Sequence, residues 1–237
     1  MPVHSSIIQQ FALLKALPEA LLQELALASS LRTFAKRELV LHRDAPSAFF
    51  CLLLEGRVQA TDFTLDGKEV CLYFIEEGQF FGAVSMLDAL PQDEIVMANR
   101  KSQVLMVPNE VFKPILWRQP SLTESVVMSL TRRIRAQSQQ RQILSITNPL
   151  QRVCSQILML LQLAGAKAAE DSANEVLPDP PTHQELAMMV NLSRETVTRV
   201  FQILQSQSLV LREKDALVVS QPQLLHQVAM GLLDLNK

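Results

Sequence analysis

Residues 182–210 read THQELAMMVNLSRETVTRVFQILQSQSLV, and this stretch decides the fold of the C-terminal part of the chain. Thr182 and Glu185 have the spacing of a capping box, in which each side chain accepts a hydrogen bond from the other residue's backbone N–H at the start of a helix. Apolar residues then recur at helical spacing. A helix is therefore predicted over 183–190.

A tight turn and a second helix follow directly. Asn191 tolerates the left-handed backbone that such a turn needs, and Ser193 is a good N-cap for a helix from Arg194 to about Gln205. Helix, three-residue turn and helix form the skeleton of a helix-turn-helix. Where its two helices meet, such a unit needs small or apolar residues, and the sequence provides Leu186, Ala187, Val190, Leu192, Val197 and Val200.

The second helix is amphipathic. At about 100° per residue, its apolar side chains fall on one side, and the other side presents Arg194, Glu195, Thr198 and Arg199. Arginine bonds O6 and N7 of guanine together, and glutamate accepts from N4 of cytosine, so this face suits the edges of DNA bases. The alternative is an ordinary surface helix with an ion pair between Glu195 and Arg199. Because the capping box, the turn and both faces agree, we interpret the helix as DNA-reading.

Phosphate-binding groups flank this face. Ser193 and Thr196 lie at the predicted helix N-terminus, where hydroxyls, N–H groups and the helix dipole hold phosphate. The segment 149–237 holds seven Lys or Arg against nine Asp or Glu, whereas DNA-binding domains usually carry a basic surface. Helix dipoles and backbone N–H groups carry no formal charge, which partly answers this deficit.

A wing is predicted after the second helix. Two short strands, Leu209–Arg212 and Ala216–Val219, are joined by a charged three-residue turn around Lys214. Arg212 and Lys214 are candidates for further phosphate contacts. A last helix is predicted over 221–236, and the whole segment therefore resembles a winged helix-turn-helix.

The N-terminal half is predicted to be a small antiparallel β domain. Helical spacing over 5–28, divided at Pro18, indicates two short helices. Short apolar runs then alternate with turn residues, among which Asp66-Gly67 is a strong hairpin signal. Strands are predicted at Leu39–Leu41, Ala48–Leu54, Val58–Phe63, Glu69–Ile75, Ile95–Met97 and Val104–Val107. This even spacing is typical of a sandwich or a jelly-roll-like barrel and not of a parallel sheet.

Helical periodicity returns after the last predicted strand. A short helix is predicted over 109–118 and a long one over 121–145. One face of the long helix has heptad spacing, which predicts packing against the same helix of a second copy; this seam consists of Val127, Leu130, Ile134, Gln137, Arg141 and Leu144. Asn148-Pro149 is a typical helix start, and the acidic, proline-rich stretch 164–181 is predicted to be a surface loop.

Composition bounds the remaining classes of function. Polar residues interrupt the N-terminal segment, which therefore does not resemble a secretion signal, and no apolar run approaches the ~20 residues of a membrane span. Three widely spaced cysteines fit a reducing compartment, so we expect a cytoplasmic protein with no membrane contact. The four histidines are scattered, and the sequence has no metal-ligand spacing, no glycine-rich phosphate loop and no nucleophile motif. We therefore expect neither an enzyme nor a metal site.

Taken together, these motifs resemble the Crp/Fnr superfamily of bacterial transcription regulators over nearly the whole chain. Ser193-Arg194-Glu195-Thr196-Val197 reproduces the start of the family's recognition helix, and its turn positions are matched by Gly56, Gly67, Gly78 and Gly82. The resemblance implies an α+β fold in three parts. A cyclic-nucleotide-binding-like β-barrel sensor domain would span 1–120, a dimerisation helix and hinge 121–147, and the winged helix-turn-helix 148–237.

The resemblance also implies partners and residue roles. A homodimer would bind a palindromic site with TGTGA-like half-sites in double-stranded DNA, and RNA polymerase is a further expected partner. The base-reading residues would be Arg194, Glu195 and Arg199. Phosphate contacts would come from Thr182, Gln184, Ser193, Thr196, Thr198 and Lys214.

An effector pocket is implied as well, with Gly82, Ala83, Ser85, Arg133, Gln137 and Ser138. The cyclic-nucleotide branch of the family follows the glycine with a glutamate that holds ribose, and about ten residues later an arginine holds the cyclic phosphate. Here Ala83 follows Gly82, no Arg or Lys occurs from Val84 to Asn99, and Asp93 or Glu94 would repel a phosphate. Cyclic AMP is therefore not the expected effector. No cofactor is assigned, and an unknown small molecule stays open as the effector.

Two other readings stay open. A haem-based gas sensor of the same family would draw on His42, on Cys51 and Cys71, or on Pro2 exposed by removal of Met1. A regulatory module of a kinase or channel shares the barrel, but it would lack the helix-turn-helix and keep the nucleotide-binding residues. The iron–sulfur branch needs a cysteine cluster near the N-terminus, and no cysteine precedes Cys51.

Overall fold

The computed structural model describes residues 3–46, 48–63, 65, 67, 69–92, 94–165, 174–233 and 235. The chain packs as two compact units, Met1–Arg132 and Arg133–Lys237. Their boundary falls inside the long helix, so the three-part division expected from the sequence stays a prediction. Asp66, Asp93 and part of the predicted loop, 166–173, lie outside the described residues.

The N-terminal segment contains one short and one longer helix, α1 (Ser5–Ile8) and α2 (Glu19–Ala28). Two short helices were predicted on either side of Pro18, and the first is shorter than expected, because residues 9–17 form turns and bends. From the end of α1 onward, the large buried apolar side chains recur every third position, at Ile8, Phe11, Leu14 and Leu17. This spacing suits turns closed by i→i−3 hydrogen bonds better than a helix of 3.6 residues per turn.

Two four-stranded antiparallel sheets follow, in strand orders β1-β8-β3-β6 and β2-β7-β4-β5. The strands are β1 (Ser30–Phe34), β2 (Leu39–Leu41), β3 (Phe49–Glu55), β4 (Val58–Phe63), β5 (Glu69–Ile75), β6 (Phe80–Phe81), β7 (Ile95–Ala98) and β8 (Ser102–Pro108). The jelly-roll-like prediction is confirmed, although the strands form two sheets and not one closed barrel. The sequence missed β1, whose residues are mostly exposed, and β6, which has only two residues.

Strand β3 explains why this half of the chain is so apolar. Its sequence is FFCLLLE, with no alternation of apolar and polar residues, because both faces are buried. Phe50 and Leu52 pack among the helices, while Cys51 and Leu53 pack between the two sheets. The ring of Phe50 stacks on Phe112 with the ring centroids 3.9 Å apart.

Three helices complete this half of the chain: α3 (Ala83–Asp88), α4 (Asn109–Arg118) and α5 (Pro120–Ser145). Helix α5 begins at Pro120, where proline is tolerated because the first helical N–H has no partner within the helix. Leu122 and Val126 are buried in the first unit. Four large apolar side chains of α5 are exposed, Val127, Met128, Ile134 and Leu144, and three of them belong to the predicted seam.

The second unit continues with α6 (Pro149–Leu163), whose N–H groups are capped by the Asn148 side chain as predicted. It also contains β9 (Glu175–Pro178), α7 (His183–Val190), α8 (Arg194–Ser206), β10 (Val210–Arg212), β11 (Ala216–Val219) and α9 (Pro222–Ala229). The three strands form one antiparallel sheet in the order β10-β11-β9. Helix α6 forms part of the core together with α7, α8 and α9.

Two predictions for this unit were wrong in extent. The predicted loop contains β9, which pairs with β11 and buries Leu177, so a short apolar pair inside a polar stretch was enough for a strand. The last helix ends at Ala229 and not near Asn236. Leu232 N–H bonds Gln227 O, and Gly231 N–H bonds Val228 O with φ of +72° at Gly231, which is a Schellman stop.

None of the helices in the described part of the chain is both long enough and apolar enough to cross a membrane.

Candidate nucleic-acid interface

Helix α7 begins with the predicted capping box. The Glu185 N–H donates to Thr182 Oγ1 at 3.3 Å, and the Thr182 N–H donates to Glu185 Oε2 at 2.6 Å. The two side chains thus satisfy N–H groups that the helix itself leaves without partners. The start of the helix-turn-helix is therefore set locally by the sequence.

The turn between α7 and α8 has the predicted geometry. Asn191 lies in the left-handed region, with φ of 49° and ψ of 51°. The Leu192 N–H closes the turn on Ala187 O at 3.0 Å. Ser193 Oγ then accepts from the Thr196 N–H at 3.1 Å and starts α8. The turn and the cap together fix the direction in which α8 leaves α7.

The apolar sides of α7 and α8 are buried as the sequence predicted. Helix α8 buries Val197, Val200, Phe201 and Leu204. Helix α7 contributes Leu186, Ala187 and Val190, whereas Leu192 of the turn is only half-buried. Burial of one side of α8 leaves the polar side facing solvent.

The three predicted base-reading residues, Arg194, Glu195 and Arg199, are exposed on that side. Neither arginine forms an ion pair with any carboxylate that the structure describes, so the pair expected for an ordinary surface helix is not made. The backbone N–H of Glu195 and then the Ser193 hydroxyl hold the pKa of the Glu195 carboxyl below its usual value. This face therefore offers two cations and one anion to a partner.

The predicted phosphate contacts surround the same face. Gln184 and Lys214 are exposed, as are Thr182 and Ser193. The Thr196 hydroxyl lies 3.0 Å from Ser193 Oγ. All of these residues lie on α7, α8, their caps or the β10–β11 turn.

Thr198 differs from the other hydroxyl residues. It is half-buried, and its Oγ1 lies 3.0 Å from Nδ1 of His183 on α7. The His183 ring also packs on Phe201, with the ring centroids 4.5 Å apart. Thr198 thus joins α8 to α7, a role that its helical position alone did not indicate.

The sequence also missed a cleft at the start of α7. It is lined by Thr182, His183, Gln184, Arg194 and Arg212 and has a volume of about 260 Å³. The sequence indicated Arg212 only as a wing residue. In the structure its Nη2 donates to the Pro181 carbonyl at 3.1 Å, beside the cap of α7.

Two further side chains hold the end of α7. Gln140 Nε2 donates to Met189 O at 2.9 Å, and Arg152 Nη1 donates to Val190 O at 3.0 Å. Arg152 Nε also bonds Ile146 O at 2.7 Å, where α5 has just ended. The last carbonyls of a helix have no partner within it, and here α5 and α6 supply the donors. No local sequence motif predicts the two contacts with α7, since their partners lie 38 and 49 residues apart.

The predicted effector residues of the first unit lie around the start of α3. Gly82 adopts a φ of +77°, and a Cβ there would lie 2.8 Å from Phe49 O. Ala83 is buried in the hydrophobic core. Ser85 is also buried, and its hydroxyl donates to Gln92 Oε1 at 3.0 Å. Gln92 lies ten residues after Gly82, where the resemblance implies a phosphate-binding arginine in the cyclic-nucleotide branch.

The other three predicted effector residues lie on α5 in the second unit. Arg133 is half-buried, while Gln137 and Ser138 are exposed. They occupy about one and a half turns of the helix, and their side chains differ in exposure.

A cavity of about 720 Å³ lies elsewhere in the first unit, between α3 and α4. Ser85 is the one predicted effector residue in its lining, which also includes Met86, Lys113 and Trp117. The Lys113 ammonium donates to Met86 O at 2.8 Å and Leu87 O at 3.3 Å near the end of α3. The cavity is therefore built on the opposite end of α3 from Gly82.

The residues expected for a haem site differ in their exposure to solvent. His42 is exposed, whereas Cys51 is buried and burial raises the pKa of its thiol to about 12. Cys71 is buried as well, and Pro2 lies outside the described residues. Among the described side chains, no group of three or more His, Cys, Asp or Glu could hold a metal ion.

Two family models match this chain. A family model described as "Cyclic nucleotide-binding domain" matches residues 31–119, and one described as "Crp-like helix-turn-helix domain" matches residues 151–228. A cyclic AMP receptor protein of Thermus thermophilus is 26% identical over 181 residues, which is 76% of this chain and 79% of that protein. The cAMP-activated global transcriptional regulator CRP of Pasteurella multocida is 23% identical over 78% of this chain and 88% of its own length.

Among solved structures, FixK2 from Bradyrhizobium japonicum superposes with a TM-score of 0.70 at 17% identity. The superposition covers 84% of this chain and 96% of that one.

Proposed function

Because this chain belongs to the Crp/Fnr superfamily of bacterial transcription regulators, we propose that it binds a palindromic DNA site as a homodimer and reads each half-site with α8. Proteins of this family are DNA-binding regulators and not enzymes. The observation that carries the proposal is the exposed face of α8, on which Arg194 and Arg199 have no ion-pair partner among the described residues.

Each residue of that face has a chemical role in the proposal. Arg194 and Arg199 each donate two hydrogen bonds to O6 and N7 of a guanine, and Glu195 accepts from a cytosine N4. Two arginines favour half-sites with two guanines, which suits a TGTGA-like sequence. On either side of this face, the phosphates of the DNA backbone are bound by Thr182, Gln184, Ser193, Thr196, Thr198 and Lys214.

The dimer would form along α5. Val127, Ile134 and Leu144 are exposed on this helix in a single chain, and they share the predicted heptad seam. Two-fold symmetry then places two α8 helices on one side of the duplex, about 34 Å apart. We assign 1–120 to sensing, 121–147 to dimerisation and 148–237 to DNA binding. RNA polymerase is the further partner, and the cytoplasm is the compartment in which such a regulator meets bacterial DNA.

The effector of this regulator is not cyclic AMP. Ala83 offers no carboxylate to a ribose, and Gln92 is neutral, buried and bonded to Ser85. A neutral amide cannot compensate the charge of a cyclic phosphate as an arginine would. An unidentified small molecule is the more consistent effector. A haem sensor is disfavoured by the buried Cys51 thiol and the exposed His42, and a module without a gene-regulatory role is disfavoured by the complete helix-turn-helix.

Competition binding tests the proposal. A labelled duplex with two inverted TGTGA half-sites is titrated with the full chain, at one fixed salt concentration, against a duplex of the same composition in scrambled order. We expect the palindrome to bind at least about a thousandfold more tightly, the lower range for specific over non-specific binding. Equal affinity for the two duplexes would contradict sequence-specific binding to this palindrome.

A further inference from the structure

The cleft at the start of α7 is positively charged and has no described counter-charge. Arg194 enters it from α8 and Arg212 from β10. Neither arginine forms an ion pair with a carboxylate in the ranges that the structure describes. Two uncompensated guanidinium groups beside one cleft are the arrangement that binds an anion.

Arg212 is held at this cleft by the backbone. Its Nη2 donates to Pro181 O at 3.1 Å, and its Nη1 is buried with no hydrogen-bond partner among the described residues. A guanidinium that is partly removed from water without a counter-charge costs free energy, and an approaching anion recovers part of that cost. Arg212 thus keeps a positive charge beside the cap of α7 before any ligand arrives.

His183 is the histidine that lines this cleft. Its Nδ1 lies 3.0 Å from Thr198 Oγ1, and its ring packs on Phe201. Partial burial, followed by the positive charges of Arg212 and Arg194, lowers the pKa of the imidazole below its ordinary value of 6.5. His183 is therefore neutral near pH 7 in the free protein.

We propose that this cleft binds one phosphate of the DNA backbone and that His183 takes up a proton when the phosphate arrives, so that DNA affinity depends on pH. The inference rests on the proposed function, since the anion is a phosphodiester of the DNA that α8 reads. A phosphate bound by Arg212, beside the Arg194 that the proposed function assigns to a guanine, offsets the positive field that disfavours the imidazolium, and it is itself attracted to the new charge.

The other neighbours of His183 do not oppose the coupling between phosphate binding and protonation of the imidazole. Thr198 and Phe201 of α8 are uncharged, and the charges that act on the ring are the two arginines. The carboxylate of Glu185, on the same helix as His183, is bonded to the Thr182 N–H in the capping box. When DNA binds, the phosphate is therefore the negative charge that is newly brought close to His183.

The direction of the pH dependence follows from proton linkage. The DNA-bound protein has the higher His183 pKa and so binds more protons than the free protein. Affinity rises as the pH falls from above the bound-state pKa to below the free-state pKa, and it is constant outside that window. Each unit by which the phosphate raises the pKa increases the affinity up to about tenfold per subunit.

The test compares the full chain with His183→Gln, which keeps a polar side chain but cannot titrate. His226→Gln is the matched control, because His226 is an exposed histidine on α9 of the same unit. The palindromic duplex is titrated at fixed salt between about pH 5.5 and pH 8.5, which spans the ordinary range of histidine. Calorimetry in two buffers of different ionisation enthalpy measures the protons taken up on binding.

We expect the affinity of wild type and His226→Gln to rise about threefold to tenfold per subunit as the pH falls, with proton uptake. The affinity of His183→Gln should show no such rise with falling pH and no such proton uptake, whatever its absolute affinity. If His183→Gln keeps the full pH dependence, or if wild type binds the duplex without proton uptake, the proposal is overturned and the proposed function stands. A wild type that prefers no sequence at any pH overturns the proposed function, and this proposal with it. Should His183→Gln not fold, NMR titration of the wild-type imidazole decides: its pKa must be higher with the duplex than without it.

Discussion

Two residues, Ser85 and Gln92, determine whether a cyclic nucleotide can be the effector. Both side chains are buried, and the hydroxyl of Ser85 donates to the amide oxygen of Gln92 at 3.0 Å. A cyclic phosphate at this position would compete with this hydrogen bond and would find two uncharged side chains and no cation to compensate its negative charge. The hydrogen bond therefore favours a pocket that is closed to cyclic nucleotides.

We expect no cyclic AMP binding at micromolar concentration. Isothermal titration of the full chain with cyclic AMP should give only the heat of dilution, because neither a ribose-binding carboxylate nor a phosphate-binding cation is present at the corresponding positions. The cyclic AMP receptor protein of Thermus thermophilus, titrated in the same buffer, serves as the positive control. A saturable heat with a micromolar dissociation constant or tighter would show that this chain binds the nucleotide by other residues.

Residues that act within a few positions of one another could be predicted from the sequence. The capping box and the Ser193 cap are contacts across three residues, and Asn191 needs only its own left-handed backbone; the structure confirms all three. His183 and Thr198 are 15 residues apart, and Arg212 lies 31 residues from Pro181. Such pairs depend on how α7, α8 and β10 pack, which no local pattern specifies.

At the element scale, the end of α7 is tied to its neighbours by side chains. Arg152 of α6 donates to Ile146 O and Val190 O, and Gln140 of α5 donates to Met189 O. These bonds satisfy helix-end carbonyls that would otherwise lack partners. They also set the position of α7, and through the turn at Asn191 the position of α8.

Arg152→Met should lower the stability of the second unit and weaken DNA binding. Methionine keeps the length of the side chain but leaves two carbonyls without donors, which costs about 1–3 kcal/mol for each carbonyl that stays buried. Urea unfolding measures the loss, and anisotropy with the palindromic duplex measures the binding. Arg135→Met is the control, since Arg135 is exposed on α5. Equal stability of Arg152→Met and Arg135→Met would show that these bonds do not hold α7.

Helices and strands could be predicted where a periodic pattern of apolar residues extends over a long segment. Helix α5 and strands β3 to β5 follow from runs of seven or more residues or from a strong turn signal. The short strands β2, β7, β10 and β11 were predicted from their apolar runs. In contrast, β1 is mostly exposed and β6 has only two residues, so both carry too little pattern and tertiary packing decides them. Strand β9 belongs to this group, because pairing with β11 makes it a strand.

At the scale of the whole molecule, the exposed seam of α5 predicts a dimer. Val127, Ile134 and Leu144 expose 52%, 62% and 38% of their surfaces in a single chain. Apolar stripes of this kind on one helix usually mark an interface. A palindromic DNA site requires two copies, so the seam and the proposed function support each other.

Ile134→Glu should convert the dimer to a monomer and reduce affinity for the palindrome. A carboxylate at the centre of a paired seam would be buried beside its own copy, where like charges repel. Sedimentation equilibrium at micromolar concentration should show a dimer for wild type and for the exposed control Arg135→Gln, and a monomer for Ile134→Glu. A monomeric wild type at that concentration would contradict dimerisation along α5.

We expect Arg199 to read bases and Lys214 to bind only the DNA backbone. Arg199 projects from the exposed face of α8, and a bidentate arginine–guanine pair discriminates by about 1–3 kcal/mol. Lys214 lies in the turn between β10 and β11, where a phosphate contact adds affinity for every sequence equally. The measurement is a selection of preferred sequences from a random duplex library by wild type, Arg199→Ala and Lys214→Ala, at one salt concentration. We expect wild type and Lys214→Ala to select the same inverted repeat, and Arg199→Ala to lose its preference at one guanine of each half-site. If Arg199→Ala selects the wild-type motif with lower affinity alone, α8 does not read bases through this side chain.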